Sequence, residues 1–393
     1  MRTLFRGARI IDGLGGMIER GKVLVEDRHI VYAGPEGGNR ERADRVYELD
    51  GRTLLPGIID THAHFAGGDY DPAHEDDSLA MAVLRTVPTV KRVLLAGITT
   101  VRTAGSRDHI DLDIRDAIRQ GVIVGPRVIA SGRGITMTGG HLHEIAVEVD
   151  GVDEVRREVR SQIKRGVDSI KILALSGGVS TANQDVQAEQ FTLEEVLAAV
   201  YEAHKAGKTV LGHAIGQQGI MNGIQAGIDS IDHGIFLTEE ACGLMKQKRI
   251  FYVPTFGPFY YYTERRLAEP WRIERAEAIK ERHIQSFVLA LEKGLTLAMG
   301  SDCGFASRFP NGENALEIEL MVRHGMEPMD AIVATTGNAA RLLRLDTLLG
   351  SVTVGKLADL IVVNTNPIDD PGALRHQVAL VMKDGTVYLD RIH

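Results

Sequence analysis

The chain predicts an α/β fold: a distorted (β/α)8 TIM barrel over residues 56–345, carrying a small β-sandwich domain built from residues 1–55 and 346–393. Three observations predict it. Both ends consist of short apolar runs separated by glycine-rich breaks, the pattern of strands and turns. Between them, short β-rich runs alternate with longer amphipathic stretches, as repeated β/α units on a parallel sheet require. The runs number eight, and the roughly 290 residues that hold them are enough for a complete barrel.

The elements follow in order. Thr3–Ile11, Gly21–Ala33 and Arg45–Leu55 read as the N-terminal strands. The eight barrel runs are Leu54–Asp60, Ile98–Arg102, Arg127–Ala130, Ser169–Leu173, Thr209–Gly212, Ser230–Asp232, Phe251–Pro254 and Thr296–Met299. Val152–Lys164 and Leu193–Ala206 carry apolar residues at three- and four-residue spacing and read as helices between strands. Thr192 ahead of Glu195 has the form of an N-terminal capping box. The β pattern returns after residue 345: a turn and buried strand within 350–363, then Ala379–Lys383 and Thr386–Leu389 around Asp384-Gly385, a tight hairpin signal.

Composition narrows the function classes. Hydrophobic residues make up 44% and charged residues 25%, ordinary for a globular protein. A net charge of -8 without a basic cluster argues against a nucleic-acid surface. Only two cysteines, Cys242 and Cys303, are present, so a disulfide framework is not expected and a reducing compartment is. No run of about 18 apolar residues predicts a membrane span, and the start of the chain has no apolar leader. A cytoplasmic location is the expectation.

Chemistry concentrates at the ends of the runs, where barrel enzymes place their catalytic groups. Run one leads into His62 and His64; on a strand, residues two apart face one side, so both imidazoles can reach one point. Run four carries Lys171, runs five and six end in His213 and His233, and run eight leads to Asp302. Singly, each has an ordinary reading: a packed histidine, a paired buried lysine, a helix-capping aspartate. Six such placements at the strand ends of one barrel point instead to a metal site. A lysine ammonium inside an apolar strand is costly. Carboxylation by carbon dioxide would turn it into an anionic ligand able to bridge two cations. His62, His64 and Asp302 would then hold one ion, and His213 with His233 the other. Imidazole and carboxylate donors favour Zn²⁺, with Mn²⁺, Fe²⁺ or Co²⁺ as alternatives.

This set, with Gly139-Gly140-His141, the stretch 170–179, Glu202-Ala203-His204 and Gly300-Ser301-Asp302, resembles the amidohydrolase superfamily over nearly the whole chain. Within it the chain looks like the branch of Xaa-Pro dipeptidases and imidazolonepropionase-like enzymes. That branch also holds Xaa-Arg/Lys carboxypeptidase-like enzymes and N-acyl amino acid hydrolases. Imidazolonepropionase is mononuclear and lacks the strand-four lysine, so Lys171 draws the chain toward the binuclear dipeptidases.

The resemblance implies two divalent ions bridged by carboxylated Lys171, and attack on an amide by a metal-bridging hydroxide. It implies Asp302 as general base and then acid, and His141 as a second electrophile for the developing oxyanion. His143, Tyr260 and Arg308 are the candidate substrate contacts. Dipeptidase relatives carry a tyrosine in the loop after run seven, where this chain has Phe256 at the matching position. The expected substrate is a dipeptide of Xaa-Pro or Xaa-Arg/Lys type or an N-acyl amino acid. The alternatives are a cyclic amide, urea or carbamate, and a non-catalytic binding scaffold. The partner is a small amide or peptide, with no nucleic acid or membrane, and a homo-oligomer stays open.

Overall fold

Strands from the two ends of the chain meet in one eight-stranded sheet in the computed structural model, which describes residues 1–37, 42–65, 74, 76–179, 184–304 and 309–392. Arg2–Ile11 pairs antiparallel with Met17–Glu26 and parallel with both Arg45–Glu48 and Thr53–Pro56. Thr53–Pro56 in turn pairs with Leu360–Val363, which continues into the hairpin Val378–Lys383 and Thr386–Asp390. The sheet keeps its own apolar core, including Phe5, Val23, Ile30, Leu54, Leu360 and Met382.

Three N-terminal expectations need division. Gly21–Ala33 is two strands, Met17–Glu26 and His29–Pro35, because the chain reverses at Asp27, which takes φ 52. Arg45–Leu55 is likewise two, Arg45–Glu48 and Thr53–Pro56, parted at Gly51 with φ 80. Leu54–Asp60 also splits, with Thr53–Pro56 in the terminal sheet and Ile58–Ala63 opening the barrel. Gly57 makes that junction: an added Cβ would lie 2.2 Å from Thr99 Oγ1, and its N–H donates to Asp359 O at 2.9 Å.

The barrel strands are parallel throughout. Ile58–Ala63, Ile98–Thr103 and Arg127–Ile129 form one sheet. Ser169–Ile172, Thr209–Ala214, Ser230–His233 and Phe251–Val253 form the other, edged by the short Ile135–Thr136 and Val147–Glu148. They are buried along nearly their whole length, as strands covered on both faces are. The segment 296–299 is not a regular strand, yet it fills the eighth position. Tyr252 N–H donates to Thr296 O, Ala298 N–H to Tyr252 O, and Thr61 N–H to Met299 O. The ladder is therefore not continuous round the barrel, and single hydrogen bonds bridge its seams.

The helices form as their sequences direct. Val152–Arg165 buries Val155 and Val159 and ends at Gly166, left-handed at φ 91. Leu193–Lys205 begins with the capping box: Glu195 N–H donates to Thr192 Oγ1, and the Glu195 carboxylate accepts from Thr192 N–H at 2.8 Å. Leu193–Lys205 packs on the strand Thr209–Ala214 and on the helix Val152–Arg165. No helix among the described residues is long and apolar enough to cross a membrane.

Candidate metal centre

The strand ends bring His62, His64, His141, Lys171, His213, His233 and Asp302 around one pocket. All four strand-end histidines are buried. His62 lies 5.4 Å from His64 and 5.2 Å from His233 between ring centroids, and His213 lies 4.4 Å from His233. One ligand atom each of His62, His64 and Asp302 falls within 4.8 Å of the others. Asp302 Oδ1 is 3.4 Å from His62 Nε2 and 3.1 Å from His64 Nε2.

Hydrogen bonds set which nitrogen each ring offers. His62 Nδ1–H donates to Asp232 at 2.7 Å, His64 Nδ1–H to Gly105 O at 3.2 Å, and His233 Nδ1–H to Thr255 Oγ1 at 2.7 Å. That leaves the Nε2 of each for the pocket side, where those of His62 and His64 face Asp302 Oδ1. His213 is reversed: Nε2–H donates to Gly177 O at 3.1 Å, leaving Nδ1 bare. Metal-binding histidines are held this way, with the second nitrogen tied to carboxylate or carbonyl.

Charge at the site favours cation binding. Burial drives His213 down to about 3 and His233 well below its ordinary value, so both rings stay neutral lone-pair donors. Burial alone would raise Asp302, but His62 and His64 outweigh it and hold the carboxyl well below the usual range. Lys171 is 1% exposed, and its Nζ has no hydrogen-bond partner among the described residues. Its ion-pair contact to Asp232 is 3.8 Å, beyond hydrogen-bond reach. Burial lowers its ammonium to about 8, while Asp232 and Asp302 pull the other way. A buried amine of lowered basicity beside four imidazoles and a carboxylate fits a metal site better than a core.

Sequence reasoning missed the layer beneath. Asp232, fully buried, takes hydrogen bonds from His62 and from Ser230 Oγ at 2.8 Å, and lies 3.8 Å from Arg102. Arg102, the largest fully buried side chain, donates to Thr61 O at 2.6 Å. Asp60 joins strand end to loop, accepting from His62 N–H, Ser301 N–H, Ser301 Oγ and Asn314 Nδ2. The available signal was charge inside apolar runs: Arg102, Asp232 and Asp60 each interrupt one.

The other candidates fall as follows. The His141 ring stacks on His213 at 4.0 Å and lines the pocket. Gly178 makes room for it, since a Cβ there would come 2.3 Å from His141 Nδ1. His143 does not line the pocket and pairs with Glu144 at 3.3 Å. Tyr260 faces a separate space with Phe256, His283 and His324, and Tyr262 is the tyrosine in the pocket wall. The reason is a π-helical turn over Tyr260–Glu264, closed by Arg265 N–H to Tyr260 O at 3.1 Å, which changes the faces presented by consecutive tyrosines. Arg308 lies outside the described residues.

Comparison with known proteins gives the same direction. Residues 53–388 match the amidohydrolase family model. Ochratoxinase of Aspergillus niger is 31% identical, over 98% of this chain and 86% of its own length. Imidazolonepropionase of Salinispora tropica is 27% identical, over 90% and 88%. The crystal structure of a Xaa-Pro dipeptidase with bound methionine in the active site superposes with a TM-score of 0.92 at 34% identity, covering 99% of this chain and 100% of that one. The chain belongs to the amidohydrolase family, as a metal-dependent hydrolase acting on C–N bonds.

Proposed function

We propose that this enzyme is binuclear and hydrolyses the amide bond of dipeptides, of Xaa-Pro or Xaa-Arg/Lys type, or of N-acyl amino acids. One observation carries the reading: four buried imidazoles and Asp302 line one pocket with Lys171, whose Nζ has no hydrogen-bond partner among the described residues. His62, His64 and Asp302 would hold one divalent ion, His213 and His233 the second, and Lys171, carboxylated on its amine, both. Zinc is the ion this donor set favours. A bound pair of such ions lowers the pKa of water and polarises the scissile carbonyl.

The chain's own residues supply the rest. Asp302 takes the proton of the attacking water and delivers it to the leaving amine. His141, which burial and the neighbouring His213 hold neutral, donates an N–H to the carbonyl oxygen as charge develops there. The apolar pocket walls exclude water and strengthen both contacts. The methionine in the active site of the Xaa-Pro dipeptidase neighbour supports an amino acid as a product.

A screen of the zinc-loaded enzyme against dipeptides, N-acyl amino acids and cyclic amides tests the proposal by released amine. Turnover of the linear amides is expected. Turnover of rings alone, the reading that the imidazolonepropionase relative favours, would replace it.

A further inference from the structure

Beside the candidate metal ligands, the pocket is lined by side chains of two separate apolar clusters. Leu142 and Leu173 form one, packed with Ala146 in a small cluster of their own. Val179, Ile215, Phe259 and Tyr262 form the other, backed by Ile235 in a separate cluster. Two of these side chains adjoin the chemistry in the chain: Leu173 and Ile215 each lie one residue past a strand end and two past a candidate ligand, Lys171 and His213.

Among the described lining residues the one carboxylate is Asp302 and the one side-chain ammonium is Lys171. Both belong to the centre. Apart from the Tyr262 hydroxyl, the walls thus have no described polar side chain, and none that is charged. An ammonium, guanidinium or second carboxylate placed there loses its water without a charged partner, which disfavours it strongly. A branched or aromatic hydrocarbon gains contact on both sides.

We infer that this slot selects substrates whose side chain beside the scissile amide is uncharged and apolar, of leucine, methionine or phenylalanine type, and rejects lysine, arginine, aspartate and glutamate. The inference rests on the reading of the site as an amide hydrolase, and it narrows that reading by removing the Xaa-Arg/Lys class. Ile215 and Leu173 are its specificity-determining residues.

Two measurements on the zinc-loaded full chain separate this inference from the parent reading. In the first, kcat/KM is compared for N-acetyl-leucine, -methionine and -phenylalanine against N-acetyl-lysine, -arginine and -glutamate. A preference of at least about 100-fold for the apolar set is expected, and comparable rates for lysine or arginine overturn it. Ile215→Asp gives the wall a carboxylate and should raise the lysine-to-leucine ratio at least about tenfold; an unchanged ratio overturns the role of Ile215. In the second, the free amino acids are titrated calorimetrically. Tighter binding of leucine, methionine or phenylalanine than of lysine, arginine and glutamate supports the slot even if no amide is cleaved, in which case only the hydrolase reading falls. Equal binding of the charged amino acids, or no binding by any, overturns the slot.

Discussion

Replacing Asp232 by asparagine tests the layer beneath the metal centre. The change is nearly isosteric and removes one negative charge from a fully buried position. Asparagine can still accept from His62 Nδ1–H, but the bond is no longer charge-assisted; such bonds contribute about 1.5–3 kcal/mol. Arg102 and Lys171 each lie 3.8 Å from the carboxylate. At an effective dielectric near 20, a full charge pair at that distance is worth roughly 4 kcal/mol. Lys171, lowered to about 8, carries only part of its charge in mild alkali. Arg102 is the fixed term, and its Nη1 already has no hydrogen-bond partner among the described residues. Leaving that guanidinium buried without its counter-ion should destabilise the metal-free protein by about 3–5 kcal/mol. Releasing His62 should weaken zinc binding about 10- to 100-fold. Urea unfolding of the metal-free protein reads the first effect, and competition with a chromophoric chelator the second. Lost stability with unchanged zinc affinity would refute the positioning of His62 by Asp232. Unchanged stability would refute the pairing with Arg102.

Three further outcomes are expected. Lys171→Ala should lower zinc stoichiometry and turnover, with partial recovery in formate or acetate; full zinc content without them would exclude a bridging role for the lysine. Asp302→Asn should lower kcat about 10²–10⁴-fold while most of the metal, measured by atomic absorption, stays bound; near-wild-type rates would remove the proton-shuttling role. His283, outside the centre, is held at about 3 by burial while its Nε2–H donates to Pro254 O at 2.8 Å. Its folded pKa is depressed below the unfolded value near 6.5, so wild-type stability is lost as pH falls through the window from 6.5 toward 3. His283→Leu should therefore be less destabilising, relative to wild type, at pH 4.5 than at pH 7, by about 2–3 kcal/mol. A difference that does not vary with pH, measured by urea unfolding, would contradict this.

The parts of the fold that rest on local pattern were legible in the sequence. The runs ending in His62-x-His64, Lys171, His213 and His233 could be placed because a strand end has a fixed direction and a period of two. The joining of both chain ends in one sheet followed from β pattern returning after residue 345. The parts that rest on distant partners were not legible. Run eight takes its place through backbone bonds to Tyr252 and Thr61, with no regular strand of its own. Arg102 reads as an ordinary strand-end cation until Asp232, 130 positions away, is seen 3.8 Å from it. The choice between Tyr260 and Tyr262 turns on one π-helical turn, which no residue type announces.

The candidate ligands also break the pattern that locates them. A strict period of two sends Asp232 and His233 to opposite faces of their strand, yet His62 Nδ1–H bonds Asp232 and the His62 and His233 rings lie 5.2 Å apart in the same pocket. The pleat ends at His233, which takes φ 71, and the same departure recurs at Thr255 with φ 58 and Asp302 with φ 59. A non-glycine residue in this region costs about 1–3 kcal/mol. Three lie at the ends of successive strand positions, and each is held by bonds that reach the centre. His233 Nδ1–H meets Thr255, Tyr252 OH donates to His233 O at 3.1 Å, and Asp302 N–H donates to His62 O at 2.6 Å. Those bonds tie each left-handed residue to its neighbouring strand end, so relaxing one would displace a candidate ligand together with the strand beside it. Left-handed residues such as Asp27 and Arg249 serve a strand reversal and a helix end, whereas these three adjoin candidate ligands, and that position makes their strain part of the site's construction.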